Sequence, residues 1–216
     1  MSEYKFLPNL GYLEHVFTEK QLRIARESVS RLSQDFAKAE PVYWDMPGAL
    51  EHEYMMEEKG RLHMEYLLAP MLREIRKNTP GYSMDVNRVL TMGRPWVTFR
   101  QQGEISPYQV GADVLTWVLW LEIPFDPQTE QLAKPGKNSK SQQGGMFELG
   151  YTDTQGRITK RQFALDKTFE NRVMIFPSGW SFGHTPFYTP GDPMIYVTGV
   201  FRIASPSLEH KCAIHG

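Results

Sequence analysis

Trp96-Val97-Thr98-Phe99-Arg100-Gln101-Gln102-Gly103-Glu104-Ile105-Ser106-Pro107, followed by Leu115-Thr116-Trp117-Val118-Leu119-Trp120-Leu121-Glu122-Ile123-Pro124, is the stretch whose reading decides the fold. β-Branched and aromatic residues dominate both runs, and Gly and Pro end them, which predicts strands over Trp96–Gln101 and Val114–Ile123. The second run is the longest apolar stretch in the chain. Thr116 and Glu122 interrupt it, and it is far too short to span a bilayer.

Working outward, Met146–Thr152, Arg157–Leu165, Arg172–Phe176 and Ile195–Ile203 also read as strands. Asp153-Thr154-Gln155-Gly156 is a hairpin turn in which Gly156 supplies the positive φ. Between Phe125 and Gly145 lies a polar stretch with too little apolar content to pack, expected to be a mobile surface loop. Upstream of residue 86 the pattern is helical. Leu22, Ala25, Val29, Leu32 and Phe36 form one stripe within a predicted helix over Thr18–Ala39, and Thr18 with Gln21 makes a capping box. A second helix is predicted over Lys59–Lys77, with Pro70 expected to kink or split it and Asn78-Thr79-Pro80-Gly81 to stop it. Helices first and antiparallel strands afterwards give an α+β class, with helices buttressing a β-sandwich or barrel.

The chain has 216 residues, enough for one sizeable core, and its formal net charge is −1 with both signs interspersed. No basic patch stands out, which argues against nucleic acid, and no apolar run argues for a membrane. The one cysteine, Cys212, excludes an internal disulfide framework and a Cys-based zinc site, and fits a reducing, cytosolic compartment.

The two opening runs resemble a family of phage-encoded 2-oxoglutarate/iron(II) oxygenases, common in large tailed phages and cyanophages especially. Gly48-Ala49-Leu50-Glu51-His52-Glu53-Tyr54, Lys137-Asn138-Ser139, Gly145-Met146-Phe147-Glu148-Leu149, Phe176-Pro177-Ser178, Pro186-Phe187-Tyr188 and Val197-Thr198-Gly199 continue the likeness in order. It covers roughly residues 45–203 and implies a double-stranded β-helix (jelly roll) with N-terminal flanking helices. On this reading the chain is one domain: a helical part over 1–85, the β-helix over 86–204 and a tail over 205–216.

Such enzymes hold iron through two histidines and a carboxylate, and pair an arginine with the far carboxylate of 2-oxoglutarate. Carried over residue by residue, the resemblance puts Gln109 at the first histidine, Gly111 at the second ligand, Phe182 at the distal histidine and Met194 at the arginine. An amide oxygen is a feeble ligand for iron, Gly and Phe offer none, and Met cannot pair with a carboxylate. The expectation is a degenerate member without metal or cosubstrate. It would serve as a binding or structural module for phage virion proteins, for itself or for a host protein, in the host cytoplasm or incorporated in the virion. The alternative is an active Fe(II)/2-oxoglutarate hydroxylase whose metal has moved to Asp113, His184 and Gln109, two residues along the same strand faces. In sequence, no new Arg or Lys stands beside Met194; Arg202 has the right parity but lies eight residues along. Other candidates are weaker: His52 and His63 are not spaced as ligands, His210, His215 and Cys212 lie in the tail, and Ser178 lacks the Gly-x-Ser-x-Gly frame of a nucleophile elbow.

Overall fold

The computed structural model describes residues 3–5, 11–42, 50–78, 89–106, 108–133 and 144–204. The aromatic segment at 43–49, the stretch 134–143 and the tail with His210, Cys212 and His215 lie outside the described residues.

In chain order the elements are β1 (Glu3–Lys5), β2 (Tyr12–Val16), α1 (Glu19–Gln34), β3 (Glu53–Met55), α2 (Glu58–Asn78), β4 (Leu90–Met92), β5 (Trp96–Arg100), β6 (Gln109–Val110), β7 (Leu115–Glu122), α3 (Pro127–Ala133), β8 (Met146–Thr152), β9 (Ile158–Ala164), β10 (Arg172–Pro177), β11 (Ser181–His184) and β12 (Met194–Ile203). They form an eight-stranded sheet ordered β1-β2-β10-β7-β12-β5-β3, with β4 also on β12, and a four-stranded sheet ordered β6-β11-β8-β9. All pairings are antiparallel. From β5 to β12 the chain passes back and forth between the two sheets, except at the β8–β9 hairpin, whose strands are neighbours in the smaller sheet.

The larger sheet is covered on both faces, which is why β7 reads as an unbroken apolar run rather than an alternating one. Leu115, Trp117, Leu119 and Leu121 point to α1 and α2, joined there by Val97, Phe99, Val173, Ile175, Val197 and Phe201. Val118 and Trp120 point the other way, into the barrel, with Met174, Phe176, Met194 and Tyr196. Gly199 lies on the helix side, where an added Cβ would stand 2.6 Å from the Trp117 ring, so only glycine fits under that indole.

α1 starts at the expected capping box: Thr18 Oγ1 accepts from the Gln21 N–H, and Gln21 Oε1 accepts from the Thr18 N–H. Arg26 fixes the helix to the sheet, donating to the Leu121 carbonyl (3.1 Å) and to Asn171 Oδ1 (2.7 Å). α2 is one continuous helix of 21 residues through Pro70, so the expected split does not occur. Its buried stripe of Met64, Leu68, Met71 and Ile75 outweighs the backbone hydrogen bond that proline forfeits.

The expected loop between Phe125 and Gly145 is likewise corrected in part, because Pro127–Ala133 is the helix α3. Among the described side chains of α3 the buried one is polar. Glu130 is fully buried, and its carboxylate accepts the N–H groups of Tyr188 (2.6 Å) and Thr189 (2.7 Å) together with the Thr189 hydroxyl. Glu130→Ala leaves three donors unpaired and is expected to cost about 1–3 kcal/mol. Urea unfolding would measure that loss, and faster hydrogen exchange at Tyr188 and Thr189 would locate it.

Candidate functional site

The interior of the barrel is an aromatic cluster with a polar margin. Trp120, fully buried, meets Phe147 edge-on with centroids 4.9 Å apart, and Phe182 meets Phe176 edge-on at 5.3 Å. Phe125 stacks on Phe187 at 4.8 Å. Each such ring contributes about 1.5–3 kcal/mol of burial, so the cluster is a principal source of stability.

His184 sits among these rings. Its Nε2 accepts the Trp120 indole N–H at 3.1 Å, and its ring lies 4.4 Å from that of Tyr196. Burial first, and then the nearby Arg100 cation, hold its pKa well below the ordinary histidine value. The imidazole is therefore neutral in the folded chain and an acceptor at Nε2. Tyr196 shares hydrogen bonds with Thr98 and Ser106, and burial pushes its phenol up to about 12.

The pH dependence follows. Below the unfolded-state value near 6.5, the unfolded chain binds a proton at His184 that the folded chain refuses, so stability present above that pH is lost as pH falls. The loss should approach about 1.4 kcal/mol per pH unit, continuing down to the folded pKa. His184→Gln keeps an acceptor for Trp120 but cannot titrate. Urea midpoints measured between pH 7.5 and 5 should fall less steeply for this variant than for the wild type.

Arg100 is a buried cation, 1% exposed, and sequence reading missed it as a site residue. The β5–β12 register pairs it directly with Met194, which is fully buried. Nε and Nη2 of Arg100 donate to the Glu104 carbonyl (3.2 and 2.6 Å), and Nη2 reaches the His184 carbonyl at 3.3 Å. The expectation that no cation stands beside Met194 is thus corrected. The cation comes from the neighbouring strand, 94 positions earlier, a proximity that only the register reveals.

At the other margin, β6 pairs with β11 so that Gln109 faces Phe182 across the four-stranded sheet. Gly111 donates its N–H to the Ser178 carbonyl at 2.8 Å, and an added Cβ there would lie 3.0 Å from Ser178 Cβ and 3.4 Å from Thr116 Oγ1. Ser178 is fully buried and its hydroxyl meets Thr116 Oγ1 at 2.8 Å.

No protein-family model matches this chain, and no curated protein matches it in sequence. Solved structures do match. The chain is similar to a prolyl-4-hydroxylase from Pseudomonas putida, with a TM-score of 0.56 and 12% identity over 90% of this chain and 94% of that one. A Trichoplax adhaerens prolyl hydroxylase, solved with a hypoxia-inducible-factor peptide, gives 0.58 and 12% over 96% and 88%. A collagen prolyl hydroxylase from Paramecium bursaria Chlorella virus-1, solved with 2-oxoglutarate, gives 0.51 and 9% over 89% and 96%. The fold is that of the 2-oxoglutarate/iron(II) oxygenases.

In an oxygenase fold the metal needs three donors turned inward. Gln109 and Phe182 are cross-strand neighbours at the positions assigned to the two histidines, but they offer one amide and one apolar ring. Gly111 offers no side chain, and a carboxylate added there would crowd Ser178. These residues do not fit an iron ion. Of the alternative set, His184 lies two residues beyond Phe182, the partner of Gln109, on β11. Asp113 precedes the start of β7, and the Nε2 of His184 is taken up by the Trp120 indole N–H. Among the described residues no three His, Cys, Asp or Glu side chains come together. Met194 offers the far carboxylate of 2-oxoglutarate nothing, while Arg100 beside it carries the charge such a carboxylate needs.

Proposed function

We propose that this chain is an oxygenase-fold protein without iron chemistry, serving as a binding or structural module. One observation carries the reading. Gln109 and Phe182, to which the resemblance assigns the two histidines, are cross-strand neighbours, and Phe182 packs against Phe176 within a cluster that also holds Phe147 and Trp120. An open, polar, solvent-reaching centre has been exchanged for a stabilising apolar one, and the scaffold is left free to act through its outer surfaces and loops.

The resemblance over residues 45–203 supports a tailed-phage origin. On that basis the partners are virion proteins or a second copy of the chain, with a host protein the next choice. The setting is the host cytoplasm or the assembled particle. The balanced charge supports neither a nucleic-acid partner nor a membrane.

The test is turnover. Metal-stripped protein supplied with Fe(II), 2-oxoglutarate and oxygen is expected to form no succinate above the protein-free control. Sustained succinate formation, lost on chelation, would establish the hydroxylase reading with a non-standard metal site.

A further inference from the structure

Resting on the reading of the chain as a binding module, we infer that the open edge of β9 takes up an extended acidic segment of a partner protein as a fifth strand of the four-stranded sheet.

The edge follows from the register. β9 pairs with β8 without interruption from Met146↔Ala164 to Thr152↔Ile158. Just beyond its two ends the Arg157 carbonyl accepts the Asp153 N–H, and the Leu165 N–H donates to the Gly145 carbonyl. The odd-numbered residues of β9 are therefore the ones bonded to β8. The N–H and C=O groups of Ile158, Lys160, Gln162 and Ala164 point away from the sheet, and among the described residues nothing takes them up. The other described edge strands are shorter, three residues in β1, β3 and β4 and two in β6. β9 has seven, with no proline, glycine or bulge, and Ile158 at its start is 91% exposed.

An edge of this kind is a pairing template unless projecting charges guard it. Here the long polar side chains are drawn back over their own sheet. Lys160 Nζ lies 2.5 Å from Glu148 Oε1 and 5.3 Å from the centroid of the Tyr108 ring, and Gln162 Nε2 donates to the same Glu148 oxygen. The Arg161 guanidinium lies over the rings of Tyr12 and Phe163. The backbone edge is left uncovered.

Charge decides the occupant. Arg157, Lys160, Arg161 and Lys167 lie on or beside the strand, whereas the neighbouring acids are spent on the chain itself. The side chains of Glu148 and Asp153 are only 3% and 8% exposed, and Asp166 Oδ1 accepts the Thr168 N–H. A second copy would set one cationic strand against another. A strand carrying Glu or Asp would meet Lys160 on one face and Arg161 on the other, with an apolar residue beside Ile158.

The experiment is titration of the full chain in EDTA with a labelled, capped peptide alternating valine and glutamate, followed by fluorescence anisotropy and amide hydrogen exchange. Saturable binding, slowed exchange at Ile158, Lys160 and Gln162, and at least tenfold weakening in Arg161→Glu are expected. The same peptide N-methylated at every residue lacks backbone donors and should not bind, nor should one alternating valine and lysine. Absence of saturable binding up to about 1 mM overturns the inference. Equal binding by the N-methylated peptide also overturns it, since the contact would then be ionic alone. Protection of the same three amides in concentrated protein without peptide would give the edge to a second copy and overturn the acidic partner. Succinate formation tests the iron-free reading separately: a failed peptide titration leaves that reading standing.

Discussion

Met194→Arg, which restores the arginine that the oxygenase resemblance leads one to expect, will destabilise the protein rather than revive a cosubstrate site. Met194 is fully buried and faces Arg100 across β5 and β12. The substitution places a second guanidinium beside the first, whose own acceptors are the backbone carbonyls of Glu104 and His184. An uncompensated buried charge costs about 3–5 kcal/mol, a large share of the total stability of a domain. The exchanged pair, Arg100→Met with Met194→Arg, returns one cation and one thioether to the same cross-strand position. It should therefore recover part of the loss, with a coupling energy on the order of 1–3 kcal/mol in a double-mutant cycle. Urea unfolding of the four proteins measures this directly. If Met194→Arg were as stable as the wild type, the space beside Met194 would be open and solvated, as an active cosubstrate pocket requires.

The second large effect is expected at Trp120. Trp120→Ala removes a fully buried indole from contact with Phe147, Phe169 and His184, and should cost about 3–5 kcal/mol from lost burial and the cavity left behind. It also strips the Nε2 acceptor of His184 of its donor, which adds a further penalty in so dry a site. Trp120→Phe isolates that second part: the ring remains largely filled, and the loss should fall to about 1–2 kcal/mol. The two variants together apportion what the cluster gains from packing and from the Trp120–His184 pair.

Much of this architecture was legible in the sequence, for reasons that differ by element. The capping box of Thr18 and Gln21 and the stripe of Leu22, Ala25 and Val29 announce α1 because both signals are local. The long strands β7, β8, β9 and β12 announce themselves by length and composition, and the hairpin between β8 and β9 by Gly156, whose φ is 76°. β6 and β11 left little trace. Two and four residues long, they carry Gln, Ser and Gly and show no alternation, although they hold the positions on which the chemistry turns. α3 was hidden because a buried carboxylate, that of Glu130, helps to fix it, and periodicity does not register such an anchor. Arg100 was hidden for another reason: both faces of β5 are buried, so its charge had no polar face to betray it, and its nearness to Met194 exists only in the register of paired strands.

The measurement that bears most directly on the absence of an iron site is anaerobic titration of the metal-stripped protein with Fe(II) in the presence of 2-oxoglutarate, following the visible metal-to-ligand charge-transfer band and the melting temperature. With Gln109, Gly111 and Phe182 at the ligand positions, no band should develop, and Fe(II) should add no stabilisation. A saturable band at one iron per chain, abolished by His184→Ala, would contradict the account and return the protein to the hydroxylases.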